Sequence, residues 1–337
     1  MSVSAAIYGL SGPELDANEK AFFRDAAPWG FILFARNVES PKQLARLCVA
    51  LRDAVGRDAP VFIDQEGGRV QRLKPPTWRQ APPAGEFGAL YARDREAGLE
   101  AVRLNHRLIA HELRASGIDA DCAPCLDLQI DGADAIIGDR SYGTDPDVIA
   151  ALGRAAMDGL HAGGVASVIK HIPGHGRADA DSHLALPRVD TPRETLEATD
   201  FAPFRALNDA PMAMTAHVVY ADIDPDDPAT LSSEMIASVI RGSIGYDGLV
   251  MTDDLSMKAL SGTLSSRAER ALGAGCDMVL HCNGVRREMI ELADIIPTLS
   301  GDPLRRADAA AAVRRTPETF DAKAGLARLE ELMSAVS

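Results

Sequence analysis

Basic residues are in short supply. The 337-residue chain has 35 Lys and Arg against 49 Asp and Glu, a formal net charge of −14. A surface that acidic repels phosphate backbones and anionic leaflets, so neither nucleic acid nor a membrane surface is expected as a partner. Cysteine is scarce as well. Five in the whole chain do not make a disulfide scaffold and suit a reducing compartment. No apolar run approaches the roughly 18 to 20 residues of a membrane span. The start, Met1 to Ala6, lacks the basic and apolar segments of a signal peptide. Repeats, low-complexity segments and Walker or dinucleotide glycine loops are missing too, and Gly273-x-Gly275 is too short a match to count. With 46% hydrophobic and 25% charged residues the composition is globular, not disordered, and a cytoplasmic protein is expected.

What is present is a regular alternation. Eight short runs rich in apolar or β-branched residues recur: Ala5–Gly9, Gly30–Phe34, Pro60–Ile63, Ile118–Cys122, Ala166–Ile169, Pro211–Thr215, Gly248–Thr252 and Asp277–His281. Stretches with helical spacing follow them. Ser40 before Pro41 reads as an N-cap with proline at the first helical position. Arg93 to Ala115 is a second helix, with Leu99, Val102, Leu108, Ile109 and Leu113 on its buried side and a stop at Ser116-Gly117. A third starts at Thr144-Asp145-Pro146 and stops at Gly163-Gly164. Strand and helix alternating eight times predict a single (β/α)8 TIM-type barrel over residues 1–337, with a doubly wound open sheet as runner-up. Lys74 to Pro83 reads as an ordered loop over one barrel end, and the tail from Thr316 as a helix on the outside.

In such a barrel the chemistry sits at the C-terminal ends of the strands. Unusual polar residues fall there. Asp64-Gln65-Glu66-Gly67-Gly68-Arg69 follows the third run and Asp127 the fourth. Lys170-His171 and Gly174-His175-Gly176 follow the fifth, with Asp181-Ser182-His183 beyond. His217 follows the sixth, Asp253-Asp254 the seventh, and His281 and Asn283 the eighth. Of eight histidines, His171, His175, His183, His217 and His281 lie in the second half near these ends, and His161, just before the fifth run, fits the pattern less well. Each piece has a plain structural alternative. Asp64-Gln65-Glu66 could be a charged turn, Lys170-His171 a salt-bridged pair, and one of Asp253 and Asp254 a helix cap. The glycines around His175 suggest a loop that moves or approaches a ligand. Asp181 two residues from His183 can fix an imidazole tautomer and raise its basicity. Cys122-Ala123-Pro124-Cys125 has redox spacing but no thioredoxin context, so packing cysteines are expected. His171, His175, Asp181 and His183 could form a metal cluster, although the first strand ends in Tyr8-Gly9-Leu10, with nothing to bind a metal.

Taken together, four long motifs resemble the β-N-acetylhexosaminidases of glycoside hydrolase family 3, above all the bacterial cytoplasmic enzymes of peptidoglycan recycling. They are Phe62 to Arg72, Lys170 to Gly176, Asp181 to Pro187 and Met251 to Met257, and the likeness runs in order from about Ala6 to His281. The resemblance implies Asp253 as nucleophile, His183 as general acid/base and Asp181 as its orienting partner. It implies Asp64, Arg72, Arg140, Lys170 and His171 as the groups that hold a non-reducing N-acetylglucosamine. It implies no metal, no cofactor and a small carbohydrate substrate, a muropeptide or a chitooligosaccharide. The departure is Cys125, where an aliphatic residue is expected.

Glycoside cleavage needs a proton for the leaving oxygen and a group to stabilise the anomeric carbon. No good glutamate offers itself as the acid, and a histidine tuned by Asp181 can serve near neutral pH. His183 sits in a glycine-flanked segment, so closure over the sugar is expected. Three rivals remain: a family 3 glycosidase or phosphorylase of other specificity, a metal-dependent amidohydrolase, and a sugar-binding barrel without activity.

Overall fold

The computed structural model describes residues 2–130, 132, 136–178, 180, 182 and 185–334. Eight parallel strands close into a barrel. They are β1 (Ser4–Tyr8), β2 (Pro28–Leu33), β3 (Val61–Ile63), β4 (Ala120–Asp121), β5 (Ala166–Ile172), β6 (Met212–Thr215), β7 (Leu249–Asp254) and β8 (Met278–His281). Each coincides with one of the eight apolar runs. A parallel sheet covered by helices is buried on both faces, so its strands read as near-continuous apolar stretches. The chain is thus a single (β/α)8 barrel and not an open sheet.

The helix signals act as expected. Ser40 caps Pro41–Val55 by accepting from the Gln43 N–H at 3.3 Å. Asp145 precedes Pro146–Ala162 and accepts from the Asp147 N–H. The helix expected from Arg93 to Ala115 is Arg95–Ala115, and a further helix, Ala84–Arg93, precedes it. Asp94 separates them and caps Arg95–Ala115 by accepting from the Ala97 N–H at 3.1 Å. The tail forms the helix Ala322–Ser334, which buries Leu329 and Leu332 and pairs Arg328 with Glu100 at 2.8 Å. Among the described residues no helix is long and apolar enough to cross a membrane.

Two strands run further than their apolar runs. β5 continues through Lys170 and His171 to Ile172, and β7 through Asp253 to Asp254. Both extensions shift register. On β5, Lys170 faces Met214 while Ile172 faces Thr215, so one residue is extra. On β7, Met251 faces Met278 and Asp254 faces Leu280. A bulge breaks the strict alternation of a strand and re-aims its side chains, so neighbouring polar residues can both be used.

The opposite end of the barrel is pinned by two buried acids. Asp119, just before β4, accepts from the Val61 N–H, from Arg52 at 2.9 Å and from Arg314 at 2.7 Å. Asp277, just before β8, accepts from the Val250 N–H, from Arg241 at 2.7 Å and from Arg306 at 2.9 Å. Each therefore stitches its own strand to the preceding one and fixes a flanking helix.

Candidate active site

The C-terminal ends of the strands enclose a cleft of about 430 Å3. Asp64, Arg72, Arg140, Lys170, His171 and Asp253 all line it, so every expected site residue that the structure describes is brought to one place. Asp181 and His183 lie outside the described residues.

The wall of the cleft is a chain of five charges. Asp64, just past β3, accepts from Arg72 Nη2 at 2.9 Å and from Lys170 Nζ at 2.8 Å. Lys170 also reaches Glu66 Oε1 at 2.6 Å. Glu66 in turn accepts both Nε and Nη2 of Arg140 at 2.8 Å, a bidentate pair. Burial opposes the charge on Glu66, but Arg140 and Lys170 outweigh it and hold the carboxyl down at about 2. Burial likewise opposes the charge on Asp64, and Lys170 and Arg72 overcome it, keeping Asp64 well below the usual carboxylate range. The Lys170 ammonium is 2% exposed. Burial disfavours its charge, yet Asp64 and Glu66 together raise its pKa above the usual value. Asp64, Glu66, Lys170 and Arg140 therefore stay ionised, and together with Arg72 they offer adjacent sugar hydroxyls both donors and acceptors.

His171 is held from behind. Its Nδ1 lies 2.6 Å from Asp127 Oδ2, and a carboxylate there makes Nδ1 the proton-bearing nitrogen. Asp127 also accepts the backbone N–H of His171 and of His175, and the Cys125 thiol at 3.3 Å. Burial works against the Asp127 charge, but the His171 ring and then His175 hold its pKa well below the ordinary value. Cys125, Asp127 and His171 offer three ligand atoms within 4.8 Å of one another. Their contacts are those of one carboxylate satisfied by its donors. Cys125 therefore does more than pack.

Asp253 and Asp254 divide their tasks. Asp253 lines the cleft, and its Oδ1 accepts from the Asp254 N–H at 2.7 Å. Asp254 accepts from the Ser256 N–H and hydroxyl and from the Cys282 N–H, tying the loop after β7 to the one after β8.

The histidines sort differently from the sequence expectation. His171 lines the cleft, whereas His175, His217 and His281 are buried beside it, 3%, 0% and 0% exposed. His175 Nε2 meets the Ser182 hydroxyl at 3.1 Å, and burial and then the His171 ring pull its pKa down to about 4. His281 Nε2 is 2.9 Å from Glu288. His161 sits before β5, against Ser167, away from the cleft. Gly176 beside His175 has a packing reason: a Cβ there would lie 2.2 Å from the Leu128 carbonyl oxygen. Sequence reasoning left out Glu66 and Asp127 as site residues. Glu66 was legible, because residues two apart in an extended segment share a face with Asp64. The place of Asp127 after the fourth run was legible, but its task was not, because His171 and His175 reach it from a different strand.

A closed parallel barrel with ionised groups ringing a cleft at its C-terminal end defines the class of barrel enzymes that act on polar small molecules. The profile of the glycosyl hydrolase family 3 N-terminal domain matches residues 7–316, and the chain belongs to that family. A protein of Xylella fastidiosa named beta-hexosaminidase is 41% identical over 281 residues, 82% of this chain and 83% of its own length. One of Alkalilimnicola ehrlichii with the same name is 42% identical over 290 residues, 84% of this chain and 82% of its own. The crystal structure of native NagZ from Neisseria gonorrhoeae superposes with a TM-score of 0.88 at 33% identity, covering 99% of this chain and 98% of that one. The protein is a glycoside hydrolase, a β-N-acetylhexosaminidase. That family membership favours the glycosidase over the amidohydrolase raised by the histidine pattern.

Proposed function

We propose that the protein is a retaining β-N-acetylhexosaminidase that removes non-reducing N-acetylglucosamine from small β-linked glycans. Residues 1–337 act as one catalytic unit. The observation that carries this reading is the cleft itself, where the Asp253 carboxylate shares the cavity with the Asp64–Lys170–Glu66 network. Asp64, Arg72, Arg140, Lys170 and His171 hold the sugar. Asp253 then attacks the anomeric carbon and forms a glycosyl ester, while His183, oriented by Asp181, protonates the departing oxygen. In the second half the same imidazole takes a proton from water, which cleaves the ester. The complex of the Neisseria protein with N-trifluoroacetyl-D-glucosamine supports an N-acylglucosamine in this cleft. A GlcNAc-anhydromuramoyl-peptide released in cell-wall recycling is the substrate this reading favours, and the cytoplasm the compartment.

Trapping tests it. A 5-fluoro N-acetylglucosaminyl donor should label the protein once, and peptide mapping should find the label on Asp253. A label on any other residue overturns the nucleophile assignment.

A further inference from the structure

His217 is a buried group next to the strand end that carries the attacking carboxylate, and the reaction above has no use for it. It stands two residues past β6, fully buried. Its Nε2 lies 3.1 Å from the backbone carbonyl oxygen of Asp254, and its Nδ1 lies 2.7 Å from the Thr230 hydroxyl. Thr230 and Thr215, both buried, place their hydroxyls 2.8 Å apart.

The donors and acceptors can be assigned. A carbonyl oxygen only accepts, so His217 Nε2 carries a hydrogen. Burial lowers the pKa of the ring more than Asp253 and its other neighbours raise it, so the neutral form prevails and Nδ1 keeps its lone pair. The Thr230 hydroxyl lies 3.1 Å from the Ala216 carbonyl oxygen and 2.7 Å from His217 Nδ1; its one hydrogen goes to the shorter contact, the Nδ1 lone pair, and its oxygen accepts from Thr215. The direction runs one way, from Thr215 to Thr230 to His217 to the Asp254 carbonyl.

Asp254 is the residue whose N–H holds Asp253 Oδ1. Its carboxylate is fixed by Ser256 and Cys282. Its carbonyl is fixed by His217. The carbonyl belongs to the peptide unit after Asp254 and the N–H to the one before it; with that following unit and the side chain both held, the Asp254 Cα between them is fixed, and the N–H attached to it stays aimed at Asp253.

We infer that His217 is a positioning residue for the Asp253 carboxylate, acting through the Asp254 backbone with a tautomer set by Thr230 and Thr215. The inference rests on Asp253 being the nucleophile. A carboxylate that must meet an anomeric carbon along one line loses rate steeply with small displacement, about 10²-fold for 1 Å. Sugar affinity, set by the Asp64–Lys170–Glu66 side of the cleft, is not altered by that displacement.

The experiment compares His217→Ala, His217→Gln and Thr230→Val on an activated aryl N-acetylglucosaminide. The Gln amide can still donate to the Asp254 carbonyl. His217→Ala should lower kcat about 10²-fold with KM within about twofold of wild type. His217→Gln should restore at least about tenfold of that loss, and Thr230→Val should lower kcat about tenfold by releasing the tautomer. A kcat unchanged in His217→Ala, or a loss confined to KM, overturns the inference. If that variant does not fold, an unchanged kcat in Thr230→Val overturns it instead, and a loss in Thr230→Val with His217→Gln near wild type supports it. Fluoro-sugar labelling of the wild type keeps the two readings apart. A label off Asp253 removes the nucleophile assignment whatever His217 does.

Discussion

Lys170 shows how a buried cation becomes a tool. An ammonium without partners would lose its proton in so dry a site, but two carboxylates within 2.8 Å keep it charged. Three cations and two carboxylates meet along that wall. Beneath them lies an acid that behaves the other way. Asp121 on β4 is fully buried, and burial pushes its carboxyl up to about 8, with Asp64 and Glu66 adding to the effect against the Gln65 N–H and Lys170. Its Oδ1 accepts from the Gln65 N–H at 3.0 Å, and an asparagine oxygen can do the same. The unfolded carboxyl titrates near 3.8. A group raised on folding favours the native state fully below its unfolded pKa and loses that contribution as pH rises through the folded value. Asp121→Asn should therefore match wild type in urea unfolding at pH 4 and exceed it progressively up to pH 8, by about 1.4 kcal/mol per pH unit at most. A gap that does not grow with pH would refute the assignment. None of this was visible in the sequence, where Asp121 sits among apolar neighbours and has no motif of its own.

At the scale of elements, the strand pattern was readable and the strand ends were not. The eight apolar runs mark β1 to β8 because burial on both faces leaves no room for alternation. The ends of β5 and β7 carry their polar residues inside the strand, and only pairing with β6 and β8 reveals the register shifts that turn them toward the cleft. The caps at Ser40 and Asp145 were legible because they are local chemistry. The seam where the first strand meets the last is not local. Arg36, after β2, donates to the carbonyls of Leu10 and Cys282, joining the loops after β1, β2 and β8. Gly9 lies in that seam. A Cβ there would sit 2.1 Å from the Cys282 carbonyl oxygen, a distance that the backbone must open. Gly9→Ala should lower stability by about 1–3 kcal/mol, read by thermal or denaturant unfolding. It should also raise KM, since Cys282 and Asn283 line the cleft.

For the whole molecule, the two ends of the barrel divide the labour. The open end holds ionised groups for the substrate, and the closed end holds the charges that fasten the chain. Asp119 is 2% exposed and takes two arginines and a backbone N–H. Removing it takes away the buried counter-charge of Arg52 and Arg314 and leaves them only the exposed Asp58, at 3.0 and 3.5 Å. Asp119→Ala should cost about 3–5 kcal/mol of stability. Its effect on KM for the sugar should be small, because the cleft lies at the far end of the strands. A variant with wild-type stability, or one with full stability and lost affinity, would contradict that division.

Asp119 and Asp277 stand in matching positions, before the fourth strand and before the eighth. Each receives an arginine from the helix just ahead of the strand it stitches, Arg52 in one case and Arg241 in the other. The second arginine differs in origin. Asp277 finds Arg306 downstream on its own side, whereas Asp119 waits for Arg314 from the far end of the polypeptide. A chain severed between the fourth and fifth strands would so yield one fragment with its clasp complete and one with its clasp open. Reassembly of the two would turn on Arg314 as the latch.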